Sequence, residues 1–210
     1  MASWNGRGVR NFFQNMSRLP TFVFFCLLML MACRPGQPVA SDRTETLTFF
    51  VSGLECVACA ESVRQSISGL EGIESIRMRE GMEGYAQVCF APEIVSAQQI
   101  AQAVHEARPL HGTPYEATLR LQLPGQENPS ELTAVKTLLA NQKHAIEAEP
   151  FWDAADQILL RFLPLEKTAE TQGAKGWSHE RLSAALSQPA PSGPGLNNRW
   201  VSPDDPSVNP

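Results

Sequence analysis

Hydrophobic and polar residues alternate along residues 44–52, which predicts a half-buried strand. In residues 57–70 the apolar positions recur at helical spacing, which predicts a helix. Two further alternating segments follow, then a second helix that begins after Ser96, and finally a strand at 115–123. The predicted order of the elements is therefore β-α-β-β-α-β.

This order is that of the ferredoxin-like motif, an α+β fold with an antiparallel sheet and helices on one face. An ungapped shift of 72 residues then gives a weaker second copy of the pattern. The copies are predicted at 45–123 and 115–187, so the strand 115–123 would belong to both. The unchanged positions are Thr46, Leu47, Gly53, Glu55, Val63, Phe90 and Pro92, which meet Thr118, Leu119, Gly125, Glu127, Val135, Phe162 and Pro164.

A shared strand has a consequence for the sheet. Its free edge can receive the third strand of the second copy, so we expect one continuous antiparallel sheet with all helices on one face. No clear strand follows Leu186 in this interpretation. The alternative is two separate sheets, with residues 199–202 as a fourth strand. Residues 188–210 are rich in proline and glycine and are predicted to be a disordered tail.

The N-terminal 33 residues have the composition of a signal peptide. Three arginines precede an uncharged apolar run at 19–32, which is short for a membrane span. The run ends in Leu-Met-Ala-Cys, which resembles a bacterial lipoprotein box with Cys33 as the lipidated residue. An uncleaved anchor is the alternative, and either Met1 or Met16 could be the start.

Residues 34–44 then read as a tether that would hold the body near a membrane. The expected location is the cell envelope, on the side that faces the periplasm or the exterior. In Gram-negative lipoproteins an aspartate after the lipidated cysteine often retains the protein at the inner membrane. Arg34 stands there instead, which favours the outer membrane.

Charge and cysteine content limit the range of possible functions. The formal net charge is −5, which argues against nucleic acid as a partner. The five cysteines are not spread along the chain as a disulfide framework would be, and only Cys56 and Cys59 have pair spacing. This Cys-x-x-Cys lies between a predicted strand and a predicted helix. The first helical turn stabilises thiolates, and thiolates suit soft ions such as Cu(I) and Zn(II).

Together these residues resemble the heavy-metal-associated domain over residues 45 to about 120. This is the fold of copper chaperones, of the N-terminal modules of copper-exporting ATPases and of periplasmic mercury-binding proteins. Leu54 stands where the family has methionine under the loop, and Glu55 replaces a frequent threonine and adds a negative charge. The residues that carry the resemblance are Gly53, Cys56, Cys59, Ala60, Val63, Gly72, Ile73, Val88, Phe90, Pro92, Ile100, Tyr115, Glu116 and Ala117.

The resemblance implies that Cys56 and Cys59 are metal ligands, with Cu(I) favoured and Zn(II) or Hg(II) as alternatives. It also places the segment 108–114 near the metal loop. His111 in that segment is therefore either a third ligand or a solvated loop histidine, and solvation is the more common case. Cys89 is expected on the uncovered face of the sheet, as a structural residue and not a ligand.

The expected function is a membrane-anchored protein that binds a soft metal ion for transport, transfer or detoxification, with a metal transporter or acceptor protein as a partner. We see no catalytic constellation in the sequence and expect no enzyme. A thiol-disulfide redox protein is one alternative, and a structural lipoprotein with an oxidised cysteine pair is another. The thiol-free second copy would cover a sheet edge or serve as a docking surface.

Overall fold

The computed structural model describes residues 43–125, 129–151, 154, 156–165 and 174–203. The predicted signal peptide with Cys33 and most of the tether lie outside these ranges. None of the described helices combines the length and the apolar character that crossing a bilayer requires. The elements are β1 (Glu45–Ser52), α1 (Val57–Ser68), β2 (Ile73–Arg79), β3 (Tyr85–Phe90), α2 (Ala97–Glu106), β4 (Glu116–Gln122), α3 (Pro129–Ala140), β5 (Ile146–Pro150), β6 (Gln157–Phe162), α4 (His179–Ser187) and β7 (Arg199–Trp200).

The strands form one sheet in the order β2-β3-β1-β4-β6-β5, and the neighbours are antiparallel. The first four strands in this order are the ferredoxin-like unit. Along one edge of β4, Thr118 pairs with Phe50 of β1, and along the other edge Leu119 pairs with Leu160 of β6. The predicted continuous sheet with a shared strand is confirmed, and the alternative of two separate sheets is wrong.

A short seventh strand was not expected within this sheet. Leu121 of β4 pairs with Trp200 of β7. Because β6 occupies the opposite edge of β4, β7 lies on the edge where β1 pairs only with residues 116–118. The prediction that no strand follows Leu186 is therefore wrong. Of the alternative fourth strand at 199–202, only Arg199–Trp200 is a strand, and it belongs to the continuous sheet.

The predicted disorder of the tail is also wrong for the residues that the structure describes. Leu196 and Val201 are buried, and the Leu196 backbone N–H donates to the carbonyl of Leu186 at 2.8 Å. Apolar side chains spaced between the prolines and glycines are sufficient to anchor this segment to the sheet and to α4. Residues 204–210 lie outside the described ranges.

One apolar layer lies between the helices and the sheet and continues through both copies. Phe49 of β1 contributes from the first copy and packs against Phe162 of β6, with ring centroids 6.3 Å apart. The side chains of α1, α2, α3 and α4 join the same layer, so the helices share one face of the sheet, as predicted. Its fully buried members include Val63, Ile67, Ile100, Val104, Leu119, Leu121, Leu160 and Leu186.

The opposite face of the sheet carries a smaller cluster of Phe50, Tyr85 and Val201. The guanidinium of Arg120 stacks on Phe50 at 3.7 Å and on Phe151 at 4.1 Å from the ring centroids. Cation–π stacking on two rings keeps the charge at this face while the side chain covers apolar surface.

Candidate metal centre

The loop after β1 is fixed from beneath by close packing. Gly53 has a φ of +83°, and a Cβ atom there would lie 3.2 Å from the ring of Tyr115. Leu54 is buried under the loop, and its carbonyl accepts the N–H of Gly81 at 2.9 Å. Gly84 lies so close that a Cβ atom would be 2.8 Å from the Cβ of Leu54. Leucine therefore fills the position under the loop, as predicted.

The two cysteines lie at the start of α1. Cys56 is the N-cap residue, and its Sγ accepts the backbone N–H of Cys59 at 3.2 Å. Cys56 is half-buried, whereas Cys59 is fully buried. The two Sγ atoms are 2.7 Å apart, which is longer than the 2.03–2.05 Å of a disulfide bond. Both are free thiols at a helix N-terminus, where negative charge is stabilised.

His111 completes a group of three. Its Nε2 lies 3.5 Å from the Sγ of Cys56, and the ligand atoms of Cys56, Cys59 and His111 all lie within 4.8 Å of one another. In the described parts of the chain, this is the group of histidine, cysteine and acidic side chains that is close enough to hold one ion. His111 itself is exposed. The structure thus brings together all three residues that the sequence singled out.

Two hydrogen bonds hold the segment just before His111. Ser62 of α1 donates to the carbonyl of Arg108 at 2.8 Å, and the backbone N–H of Leu110 donates to the hydroxyl of Tyr115 at 3.3 Å. Tyr115 is buried, and the same hydroxyl lowers the pKa of Cys59. One side chain therefore connects the buried thiol to the loop of His111.

The sequence marked Tyr115 only as part of the resemblance and missed this role. A signal was present, because the residue immediately precedes β4. The start of β4 pairs with the end of β1, so it lies at the same end of the sheet as the metal loop.

Hydrogen bonds shift the pKa values of the two thiols in opposite directions. Burial raises the pKa of Cys59, but the hydrogen bonds with Cys56 and Tyr115 outweigh it, and the pKa of this thiol is below its ordinary value. For Cys56 the hydrogen bond with Cys59 is the largest cause, and the pKa is raised.

We expect Tyr115→Phe to raise the pKa of Cys59, because the hydroxyl that stabilises its thiolate is removed. The pH profile of iodoacetamide labelling, resolved for each cysteine by mass spectrometry, measures this shift. Tyr85→Phe is the matched control, since Tyr85 is a buried tyrosine in the cluster on the opposite face. An unchanged Cys59 profile in Tyr115→Phe would show that the hydroxyl has no influence on the thiolate.

Two other residues lie away from this centre. Cys89 pairs with Thr46 on the face without helices, and its Sγ lies 3.6 Å from a carboxylate oxygen of Glu74. His105 is exposed on α2. The position of Cys89 agrees with the sequence-based expectation. Cys26 and Cys33 lie outside the described residues.

Residues 48–108 match the family model of the heavy-metal-associated domain. Among curated proteins, copper-transporting ATPase HMA4 of Oryza sativa subsp. japonica is 33% identical over 69 residues, which are 33% of this chain and 7% of that protein. Copper-transporting ATPase 2 of Homo sapiens is 28% identical over 75 residues, 34% of this chain and 5% of that protein. The chain thus spans less than a tenth of the length of these relatives.

Two solved structures are also similar. Oxidized MerP from Ralstonia metallidurans CH34 is 29% identical with a TM-score of 0.31, over 36% of this chain and 97% of that chain. The water-soluble region of the P-type ATPase CopA from Bacillus subtilis is 13% identical with a TM-score of 0.35, over 75% and 91%. The family match contains Cys56 and Cys59 and ends before His111 and Tyr115. Residues 48–108 of this chain are a heavy-metal-associated domain.

Proposed function

We propose that the protein binds one soft metal ion, with Cu(I) favoured over Zn(II) and Hg(II), through the thiolates of Cys56 and Cys59. The observation that carries the proposal is the free thiol pair at the start of α1, with hydrogen bonds that lower the pKa of one member. Thiolates are the ligands that select soft ions. The matched relatives are copper-transporting ATPases, which supports copper as the ion.

The arrangement suits transfer more than storage. Cys59 is buried and anchors the ion from the protein side, whereas Cys56 is half-exposed and His111 exposed. Structural sites usually enclose an ion in four protein ligands. A site with fewer ligands and one open side lets an incoming thiolate reach the ion. We therefore propose ligand exchange with a metal transporter or another acceptor protein as the partner.

The proposed location is the cell envelope, with the body outside the cytoplasm and a lipid on Cys33. The support is the sequence of residues 1–33 alone. We expect Cys33→Ala to shift the protein from the membrane fraction to the soluble fraction, and to abolish incorporation of labelled palmitate. Cys26→Ala is the control within the same apolar run. Retention of the label in Cys33→Ala would refute the lipid anchor.

A thiol-disulfide redox role is the second candidate, and the 2.7 Å separation of the two sulfurs favours it, because they need to approach only slightly to form a bond. The two roles differ in turnover. A redox protein would cycle between dithiol and disulfide with a reductant and a substrate disulfide, whereas a metal carrier would not.

Anaerobic titration of the reduced full-length protein with Cu(I), in the presence of a competing chelator, tests the proposal. The expected result is tight binding of one ion per chain, and parallel titrations with Zn(II) and Hg(II) rank the ions. Absence of binding by fully reduced protein would refute the carrier function. The reduction potential of the cysteine pair would then decide the redox alternative.

A further inference from the structure

The family match ends at residue 108, yet the structure places His111 beside the cysteine pair. We infer that the Nε2 atom of His111 is the third ligand of the bound ion, which makes the centre a three-coordinate site of two sulfurs and one nitrogen. This inference rests on the proposed function. It assigns to the segment after α2 a role in metal binding that the cysteine motif alone does not contain.

The distances fit a shared ion. Ligand bonds of about 2.3 Å to sulfur and about 2.0–2.1 Å to nitrogen hold the two donor atoms about 3.5–3.8 Å apart. The observed separation between Cys56 Sγ and His111 Nε2 is 3.5 Å, so this pair needs almost no movement. The two sulfurs are 2.7 Å apart and must separate by about 1 Å to share an ion. Rotation of the half-exposed Cys56 side chain can supply that movement, because Cys59 is buried, and the exposed His111 side chain can move with it.

The loop geometry also favours coordination over solvation. The residues on the N-terminal side of His111 are held by Ser62 and by the hydroxyl of Tyr115. These two hydrogen bonds hold the backbone just before His111 before an ion arrives, so less conformational entropy is lost on binding.

A third ligand from the same chain limits which outside donors can bond to the bound ion. Two thiolates alone leave one side of the ion open to any small thiol or to a cysteine of a second copy. His111 occupies that side and is a weaker donor to a soft ion than a thiolate. In the transfer step, a partner thiolate bonds to the ion and the bond to His111 breaks. The thiolate's proton has gone to solvent, the imidazole leaves neutral, and no electrons are transferred.

Copper K-edge X-ray absorption of the Cu(I)-loaded full-length protein tests this assignment. We expect imidazole scattering with two sulfur ligands in the natural protein and in His105→Ala, the control with an exposed histidine on α2. In His111→Ala the imidazole signal should disappear. Its affinity for Cu(I) should fall at least about tenfold, since the loss of even an outer-shell partner has that effect.

A second measurement tests which donor becomes the third ligand of the ion. When one equivalent of Cu(I) is added with millimolar glutathione, His111→Ala should acquire a third sulfur ligand, whereas the natural protein should keep its nitrogen. Two-sulfur coordination in the natural protein, together with unchanged affinity in His111→Ala, would overturn this inference and leave the proposed function intact. Failure of the natural protein to bind Cu(I) at all would overturn both.

Discussion

Cys56→Ser and Cys59→Ser are each expected to abolish tight Cu(I) binding in a competition titration. A serine hydroxyl keeps its proton at neutral pH and is a hard donor, so each variant loses one of the two soft ligands. The loss of affinity should exceed by far the 10–100-fold that removal of an outer-shell partner causes. No other change in the chain should have a larger effect on metal binding.

Cys56→Ser is the cleaner of the two variants. Serine is a preferred N-cap residue, so α1 should begin as before with the hydroxyl in place of the sulfur that accepts the Cys59 N–H. Cys59 is fully buried, so serine there also places a hydroxyl in the core. Cys89→Ser is the matched control, and its affinity for Cu(I) should be unchanged. Full affinity in Cys56→Ser would refute the assignment of the site.

Leu121→Ala is expected to lower the free energy of unfolding by about 2–5 kcal/mol. Leu121 is fully buried in β4, which lies between β1 and β7 on one side and β6 on the other. The cavity would therefore open in the apolar layer that serves both copies. We expect both copies to lose stability together, in one cooperative transition.

Urea unfolding followed by two probes tests this expectation. Tryptophan fluorescence reports on the second copy through Trp177 and Trp200, and the alkylation rate of buried Cys59 reports on the first copy. The two transitions should coincide and shift together in Leu121→Ala. Leu132→Ala on α3 is the control, because the side chain is 38% exposed and the expected change is about 0.5 kcal/mol. Two separated transitions would show that the copies fold independently.

The regular part of the fold could be predicted because its signals are local. Alternation in β1 and helical spacing in α1 determine which face of each element is buried, and the 72-residue repeat then places the shared strand. The strand order beyond β4 follows from the free edge of that strand and needs no further information. The metal loop was predictable for the same reason, since both cysteines lie in one short stretch.

The features that the sequence left open depend on contacts between residues far apart in the chain. Residues 199–202 have a proline-rich neighbourhood, and only the unoccupied edge of β4 makes β7 favourable. The contact of His111 with Cys56 joins positions 55 residues apart, and the periodic patterns of the sequence do not predict such a contact. The hydrogen bond of the Tyr115 hydroxyl with the Leu110 backbone likewise depends on the fold of the loop between them.

Because β1 and β4 are antiparallel, the loops that follow the first strands of the two copies lie at opposite ends of the sheet. β1 leads into the loop with the cysteines, whereas β4 runs the other way and delivers the start of the second copy to the far end of the sheet. Seven residues of strand separate these ends by about 20 Å. Thiols restored to the second copy would therefore create a site that faces away from the first, too distant for direct exchange of an ion. A duplication that shares a strand in this way therefore does not bring two such loops together at one end of the sheet.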